Sequence, residues 1–262
     1  MRDRAHSLSG AAAWVGVAVA TALAGHPMPW PVLVAGTLIC AGAALAPDLD
    51  QKSATISRAF GPPSRWLAGL IDKLSVAVHN ATRGPRDRRR TGGHRTLSHT
   101  WLWAVLMGVG FSAAAVHWGR WAVLGILFVH MVLAVEGLLW RAARISSDIM
   151  VWLLGAATAW ILAGILNQPG HGSEWLFPGQ PYLWIGIPIV LGAMVHCVGD
   201  ALTISGCPFL WPLKIKGRRW YPLGTPRFMR FRAGAWVESN VLMPGFMVAT
   251  AAGGIAAVVL AA

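Results

Sequence analysis

Seven apolar segments, each about as long as a bilayer is thick, limit what this chain can fold into more than any other feature. A hydrocarbon core about 30 Å thick needs roughly 17 to 25 apolar residues per helix. The segments lie near residues 10–26, 30–46, 100–117, 121–140, 149–166, 181–199 and 241–261. Because 55% of the residues are hydrophobic and only 12% are charged, an ordinary water-soluble domain is excluded. We predict an all-α, polytopic transmembrane helical bundle that forms a single membrane-embedded domain over residues 1–262.

The distribution of Lys and Arg predicts the orientation of the bundle. If the N-terminus is cytoplasmic, 21 of the 22 Lys and Arg residues fall on the cytoplasmic side, and only Arg120 lies outside. This asymmetry follows the positive-inside rule, and it gives a simple account of the net charge of +12. We therefore expect a multi-pass protein of the cell (inner) membrane with a cytoplasmic N-terminus. Two cytoplasmic segments, near residues 47–99 and 200–240, interrupt the spans.

The start of the chain imitates a cleavable secretory signal. It has the basic "MRDR", an apolar run and the small residues of "ALAG". The pattern is short and generic in form, so we expect residues 1–24 to be retained as the first span. Cleavage would remove His6.

The first cytoplasmic segment combines an amphipathic helix with an arginine-rich strip. In "SRWLAGLIDKLSVAVHN", apolar residues four apart form one stripe from Trp66 to Val78, so this helix should lie on the membrane surface or cover the bundle. We expect Asp72 and His79 to face solvent. The following "RGPRDRRR" is expected to be a solvated, disordered or lipid-facing strip. No interleaved aromatic residue is there to stack bases, so no nucleic-acid partner is expected.

Residues that can bind metals collect at one face of the predicted bundle. On the predicted topology, eight His, Asp and Glu residues from five distant parts of the chain lie at the cytoplasmic ends of the spans. The eight candidates are His6, Asp48, Asp50, His94, His99, His196, Asp200 and Glu238. By contrast, His26, His117 and His171 fall in external loops at the opposite end.

Each of these signals is weak when taken alone. His196 and Asp200 are four residues apart and share one helix face, which is the spacing that two metal ligands on one helix need. An unpaired Asp at the end of an apolar run would be costly, which favours the metal hypothesis. Asp48 and Asp50 of "PDLD" can either cap a turn or hold a cation.

The stretch "TGGHRTLSHT" places two histidines beside the third span. His94 and His99 are five residues apart, or about 140° around a helix. Both can point at one centre only if His94 lies in the Gly-Gly loop and His99 lies at the helix start. The alternative is a pair of unrelated polar residues. Arg95 could bind a phosphate bidentately, although loop arginines usually only follow the positive-inside rule.

The residue types indicate the chemistry of the predicted site. Imidazole and carboxylate ligands without thiolates suit Zn²⁺, Mn²⁺ or Fe²⁺, and eight ligands are too many for one tetrahedral ion. The set therefore predicts two or three ions. Such ions can lower the pKa of a water molecule and neutralise the oxygens of a phosphate ester during in-line displacement.

Four ordered stretches, "APDLDQKS", "HRTLSHT", "HCVGDALTISGCPFLWP" and "FRAGAWVE", carry a family resemblance. Together they resemble the YdjM-like, LexA-regulated family of inner-membrane metal-dependent hydrolases. The resemblance implies that the eight candidates form the family's metal site. It also implies similarity to the zinc-dependent phospholipase C superfamily, and hence phosphoester hydrolysis at a multinuclear zinc centre. One departure is Gln51, which stands where many relatives have a histidine ligand.

The leading hypothesis is a membrane-bound, metal-dependent hydrolase that cleaves a phosphoester with a metal-activated water at the cytoplasmic face. The substrate could be an anionic phospholipid or another phosphoester. Asp48 or Asp50 would accept the proton, Glu238 would be a ligand or a general base, and zinc is the expected metal. The alternative is a non-catalytic metal-binding membrane protein, either a structural clip or a divalent-ion transporter. The oligomeric state does not follow from the sequence.

Overall fold

The computed structural model describes residues 1–139 and 148–261, and most of these residues are helical. Seven described segments are long and apolar enough to cross a membrane, and no β-strand occurs in these two ranges. The α-helices are α1 (Asp3–Leu23), α2 (Trp30–Ala43), α3 (Pro62–Thr82), α4 (Trp101–Trp118), α5 (Arg120–Leu138), α6 (Asp148–Leu166), α7 (Gly186–Ala201) and α8 (Met243–Ala261). The predicted all-α transmembrane bundle is confirmed, and its orientation in the membrane stays a prediction.

The start of one predicted span differs from the structure, and the end of another lies outside the described residues. Helix α1 begins at Asp3, whereas the sequence placed the first span near residues 10–26. The apolar run starts late because His6 and Ser7 are polar, yet both are fully buried inside the protein and never meet lipid. In the fourth span, residue 140 lies outside the described residues, as do Arg141 and Arg144 of the predicted cytoplasmic loop.

Small residues allow the central helices to pack closely. Helix α2 lies in the centre and contacts α1, α5 and α7, while α8 packs on α1 and α4 on α7. A Cβ atom on Gly10 of α1 or on Gly192 of α7 would lie 2.5 Å from the carbonyl oxygen of Cys40 in α2. Close approach of backbones at small residues is a common way to pack membrane helices. These close contacts fix α1, α2 and α7 relative to one another.

Helix α3 covers the bundle with a face other than its apolar stripe. Its buried residues are Ser64, Ala68, Ile71, Ser75 and His79. The apolar stripe is turned outward, and Trp66 is 71% exposed. The prediction that His79 faces solvent is wrong, because this helix buries mainly small and polar residues, with Ile71, and turns most of its large apolar residues outward.

The two segments between the spans, predicted to be cytoplasmic, are joined through Asp87 and Trp220. The carboxylate of Asp87 accepts hydrogen bonds from the backbone N–H groups of Gly84 (2.8 Å) and Arg219 (3.0 Å). The indole N–H of Trp220 donates to the hydroxyl of Thr82 (3.2 Å), and its ring lies 4.7 Å from that of His79. The segments predicted near residues 47–99 and 200–240 therefore form one connected layer over the end of the bundle.

Candidate metal centre

The structure brings seven of the eight predicted ligands together at one end of the bundle. They come from the first turns of α1, the 3-10 turn Ala46–Asp50 after α2, the loop and 3-10 turn before α4, and the last turns of α7. The seven are His6, Asp48, Asp50, His94, His99, His196 and Asp200. Helix ends that are distant in sequence but adjacent in space thus supply one cluster.

Ligand atoms in this cluster form three overlapping groups. Within each group the candidate ligand atoms lie within 4.8 Å of one another. The groups are His6 with His196 and Asp200, Asp48 with His99 and His196, and Asp48 with Asp50 and His94. A tetrahedral ion with bonds of about 2.1 Å places its ligand atoms about 3.4 Å apart. Several separations in the cluster are close to that value, and the shared residues fit adjacent ions.

His196 is oriented as a metal ligand requires. Its Nδ1 donates a hydrogen bond to the carbonyl oxygen of Ala44 at 2.7 Å. That bond leaves the lone pair on Nε2, which has no hydrogen-bond partner among the described residues. Nε2 lies 3.7 Å from Asp48 Oδ1 and 3.8 Å from Asp200 Oδ2. A carbonyl that fixes the ring through Nδ1 is a common outer partner of metal-binding histidines.

His99 is held in the same way by a neighbouring hydroxyl. Ser98 donates its proton to Asp50 Oδ2 at 2.6 Å, so its oxygen accepts from His99 Nδ1 at 3.0 Å. The Nε2 atom lies 3.4 Å from Asp48 Oδ1 and lacks a hydrogen bond within residues 1–139 and 148–261. Burial alone would lower the pKa of His99, but Asp48 and Asp50 outweigh it and raise the pKa to about 10. The cluster thus favours a positive charge at this position.

His6 completes the buried part of the cluster from inside α1. Its ring stacks on that of His196 with 3.8 Å between centroids, and its Nε2 lies 3.5 Å from Asp200 Oδ1. Neither ring nitrogen of His6 has a hydrogen-bond partner in the described part of the chain. Buried imidazole nitrogens without partners are costly unless something binds them. A bound metal ion would give His6 a partner that it lacks among the described residues, so the site favours a metal ligand over a purely structural histidine.

His94 forms the open side of the cluster. Its side chain is 39% exposed, and its Nδ1 lies 3.1 Å from Asp50 Oδ1. The loop before it passes close to α3, where the Gly93 N–H donates to Asp72 Oδ1 at 2.7 Å. A Cβ atom on Gly93 would lie 2.7 Å from the carbonyl oxygen of Asp72. His94 thus lies in the Gly-Gly loop and His99 just before α4, the arrangement in which both can point at one centre.

Asp200 is bound by two cationic groups as well as facing the histidines. The Met1 amine donates to Oδ1 at 2.8 Å, and the Arg95 guanidinium donates to Oδ2 at 2.9 Å. Arg95 also donates to the Thr203 hydroxyl at 3.3 Å and to the carbonyl of Gly206 at 3.2 Å. The predicted phosphate-binding role of Arg95 stays a prediction, and the contact with Asp200 was not foreseen.

Glu238 lies near the N-terminus but belongs to none of the three groups in the described chain. Its carboxylate accepts hydrogen bonds from the backbone N–H groups of Arg2 at 2.6 Å and Gly234 at 2.7 Å. The side chain is buried at 1% exposure. In this conformation Glu238 connects the start of the chain to the segment before α8. Its role as ligand or general base stays a prediction.

A family model places the chain among known sequences. The model of the YdjM inner membrane protein family matches residues 1–138 and 147–262. The chain belongs to this family. Searches of curated proteins and of solved structures found no significant match. Family membership and the apolar helices together make this YdjM-family chain a multi-pass membrane protein.

The donor set of this YdjM-family protein fits divalent metal ions. Three carboxylates, Asp48, Asp50 and Asp200, face imidazole nitrogens that lack other partners in the described ranges. All the donors are nitrogen or oxygen, which suits zinc, manganese or iron. Sequence reasoning missed the outer partners. Ser98 was visible beside His99 in its motif, whereas the Ala44 carbonyl is backbone and has no residue-type signal.

Proposed function

We propose that this YdjM-family protein is a membrane-bound, metal-dependent hydrolase that cleaves a phosphoester at the cytoplasmic face of the membrane. The observation that carries the proposal is the sharing of Asp48 and His196 between overlapping groups of ligand atoms. Shared ligands hold neighbouring ions close together, and paired ions are the common device for in-line displacement at phosphorus. Two or three ions fit the three groups, with zinc preferred and manganese or iron as alternatives.

The ions, when bound, would supply Lewis acidity toward the phosphoryl oxygens and lower the pKa of a water molecule. In the reaction, the water oxygen forms a new bond to phosphorus and the ester P–O bond breaks. One water proton passes to a carboxylate, which then gives that proton to the leaving oxygen to form an alcohol and is itself regenerated. One water molecule is consumed for each ester cleaved.

Asp48 is the better placed of the two predicted proton acceptors. Its side chain is 14% exposed, whereas that of Asp50 is fully enclosed. The Oδ1 atom of Asp48 faces the rings of three histidines, His94, His99 and His196. This arrangement leaves Oδ2 to accept a proton. Asp50 is held by Ser98 and His94, so we assign it to orienting the ligands.

Glu238 is proposed as a positioning residue. Its two oxygens accept hydrogen bonds from the backbone N–H groups of Arg2 and Gly234, which holds Arg2 next to the cluster. Arg95, which contacts Asp200, is proposed to orient that carboxylate and to face the substrate's phosphate from its exposed edge. Neither residue needs to contact the attacking water in this arrangement.

The open side of the cluster favours a hydrolase over a structural metal clip. A structural site is normally closed by four protein ligands, while a catalytic site leaves a position for water or substrate. Here His94 is partly exposed and lines a wide cavity of about 820 Å³ together with Arg95. A substrate-sized molecule can therefore reach the edge of the cluster from that cavity.

The experiment compares two histidine variants of the purified full-length protein. Metal content is measured by mass spectrometry, and hydrolysis of bis(p-nitrophenyl) phosphate is measured after zinc or manganese loading. We expect His196→Ala to lose bound metal and activity, and His117→Ala, at the other end of α4, to keep both. A folded wild-type protein that binds no divalent metal, or a His196→Ala variant with unchanged activity, would contradict the proposal.

A further inference from the structure

Two cavities of opposite character meet at the metal cluster. The first has a volume of about 520 Å³, lies between α4, α5 and α7 under α3, and is lined almost wholly by apolar side chains. Its walls include Leu67 of α3, Met107 of α4, Leu133 of α5 and Ala193 of α7. Three of its walls belong to helices that cross the membrane, so an occupant would lie at the depth of lipid chains.

The apolar cavity reaches the cluster directly. Pro47 and Leu49, on either side of Asp48, line it. Ser98 also lines it and donates the 2.6 Å hydrogen bond to Asp50 Oδ2. The end of an apolar chain in this cavity would therefore be separated from the carboxylates of Asp48 and Asp50 by a single side chain such as Ser98.

The second cavity, of about 820 Å³, is strongly basic. Six arginines line it, together with His79, Asp87, His94 and residues of the second cytoplasmic segment. These six are Arg86, Arg88, Arg89, Arg90, Arg95 and Arg218. We call it the arginine basin. It meets the cluster through His94, which contacts Asp50 Oδ1 at 3.1 Å, and through Arg95, which contacts Asp200. Asp50 is thus contacted by residues from both cavities.

The backbone of the arginine strip in the basin is held in place, while its arginine side chains are exposed, which agrees with the solvated alternative of the prediction. The carbonyl oxygen of Arg88 lies 3.1 Å from His79 Nε2. Asn80 donates to the carbonyl of Arg90 at 2.8 Å and accepts from its N–H at 3.0 Å. Because this backbone is fixed, the cationic side chains stay close together around one cavity, and a bound polyanion would relieve their mutual repulsion.

We propose that the substrate is a membrane lipid whose head group carries at least one anionic group beyond the phosphate that reacts. This proposal rests on the proposed function. Its hydrocarbon chain occupies the apolar cavity, the reacting phosphate lies at the cluster, and the further anionic group lies in the arginine basin. A soluble phosphoester would leave the apolar cavity unused. A lipid with a single negative charge would leave most of the arginines unpaired.

The test measures binding by metal-depleted full-length protein in nanodiscs of zwitterionic lipid, so that no turnover is needed. Three probes separate tail from head: farnesyl diphosphate, farnesyl monophosphate and inorganic pyrophosphate. We expect the diphosphate to bind at least about 10-fold more tightly than either other probe, because one charge-assisted contact contributes about that much. Equal affinity for the two farnesyl probes, or equal affinity for pyrophosphate and farnesyl diphosphate, would overturn the proposal.

Two pairs of variants locate the binding. Arg88→Gln with Arg90→Gln should remove the preference for the diphosphate, while Arg58→Gln with Arg65→Gln, equal in charge change but outside both cavities, should preserve it. Met107→Trp should weaken binding of both farnesyl probes and leave pyrophosphate unchanged. The neighbouring Leu106→Trp, on a 52% exposed side chain, should change neither. Equal losses of probe affinity in a variant and its control would refute the proposed placement of the head group or of the hydrocarbon chain.

The proposed function can fail independently of this inference. If metal-loaded protein hydrolyses no phosphoester but the metal-depleted protein still prefers farnesyl diphosphate, hydrolysis is wrong and the lipid site stands. If the protein hydrolyses bis(p-nitrophenyl) phosphate but shows no preference among the three probes, hydrolysis stands and the lipid site is wrong.

Discussion

The two ends of the bundle carry the same residue type in opposite settings. At the cluster end, His6, His99 and His196 are fully buried and have ring nitrogens without hydrogen-bond partners in the described chain. At the other end, His26 and His117 are exposed, and His171 contacts the carbonyl of Pro169 in its own loop. The difference is in burial and in nearby carboxylates, which is what distinguishes a metal ligand from a surface histidine. The far end therefore supplies controls within the same chain.

The largest effect should come from removing metal. A ligand at 100 times its dissociation constant stabilises the folded state by about 2.7 kcal/mol. Chelation should therefore lower the melting temperature of the wild-type protein markedly, and zinc should restore it. His196→Ala should melt at the same temperature with and without chelator, whereas His117→Ala should respond as wild type does. If the chelator lowered the melting temperature equally in both variants, the proposed difference between the histidines of the two ends would be contradicted.

The next effect concerns the hydroxyl that orients His99. Ser98→Ala removes the bond to Asp50 and the acceptor for His99 Nδ1. Loss of such an outer partner typically weakens metal affinity about 10- to 100-fold. Competition with a fluorescent zinc chelator measures the affinity. Ser112→Ala, which removes a 2.7 Å bond to the Leu183 carbonyl, is the control and should leave zinc affinity unchanged. Equal weakening in the two variants would argue against a local role for Ser98.

A smaller effect should separate two adjacent glycines. An alanine at Gly93 would press on the Asp72 carbonyl and on Ser75, and overpacking of this kind costs about 1 to 3 kcal/mol. Gly92 has open space around its Cβ position within the described residues, so Gly92→Ala should be tolerated. Thermal melting of the metal-depleted variants measures the difference. A Gly92→Ala variant that melts as low as Gly93→Ala would show that the loop needs flexibility at both sites.

The smallest effect is a pH dependence at His79. Burial of the ring lowers the pKa of His79, and the charge of Arg90 acts in the same direction. The unfolded chain then binds the proton more tightly, so stability contributed by neutral His79 is present above the ordinary pKa of about 6.5 and declines as pH falls below it. Proteolysis of the loop at residues 83–90 should therefore increase from pH 7.5 to pH 5.5. His79→Gln should flatten this pH dependence, and a wild-type loop that is cleaved equally at both pH values would refute it.

The sequence predicted the spans and the convergence of ligands because both follow from one-dimensional patterns. Apolar length fixes a membrane helix, and the alternation of spans brings the ends of α2 and α7 to the same side. The orientation of α3 could not be predicted this way, since Ile71 and His79 are buried together while Trp66 is exposed. In a membrane protein, an apolar stripe can face lipid as well as protein, so hydrophobicity alone does not identify the packed face.

The arginine loop shows a second limit of sequence patterns. The exposed cations agree with the predicted solvated strip, but the sequence did not predict the bonds that its backbone carbonyls make to His79 and Asn80. Contacts of this kind leave no trace in residue type. The exact start of α1 was hidden for a related reason, because His6 and Ser7 are polar residues inside a span.

The distance along the chain between the ligands has a consequence for biogenesis. The first candidate ligand, His6, belongs to the first span, and the last buried candidates, His196 and Asp200, belong to the sixth. During synthesis, helices enter the membrane in order, so the cluster stays incomplete until α7 has been inserted. Contacts between such distant residues form late in folding. A chain released before α7 is inserted would carry its hydrophobic helices without the complete cluster.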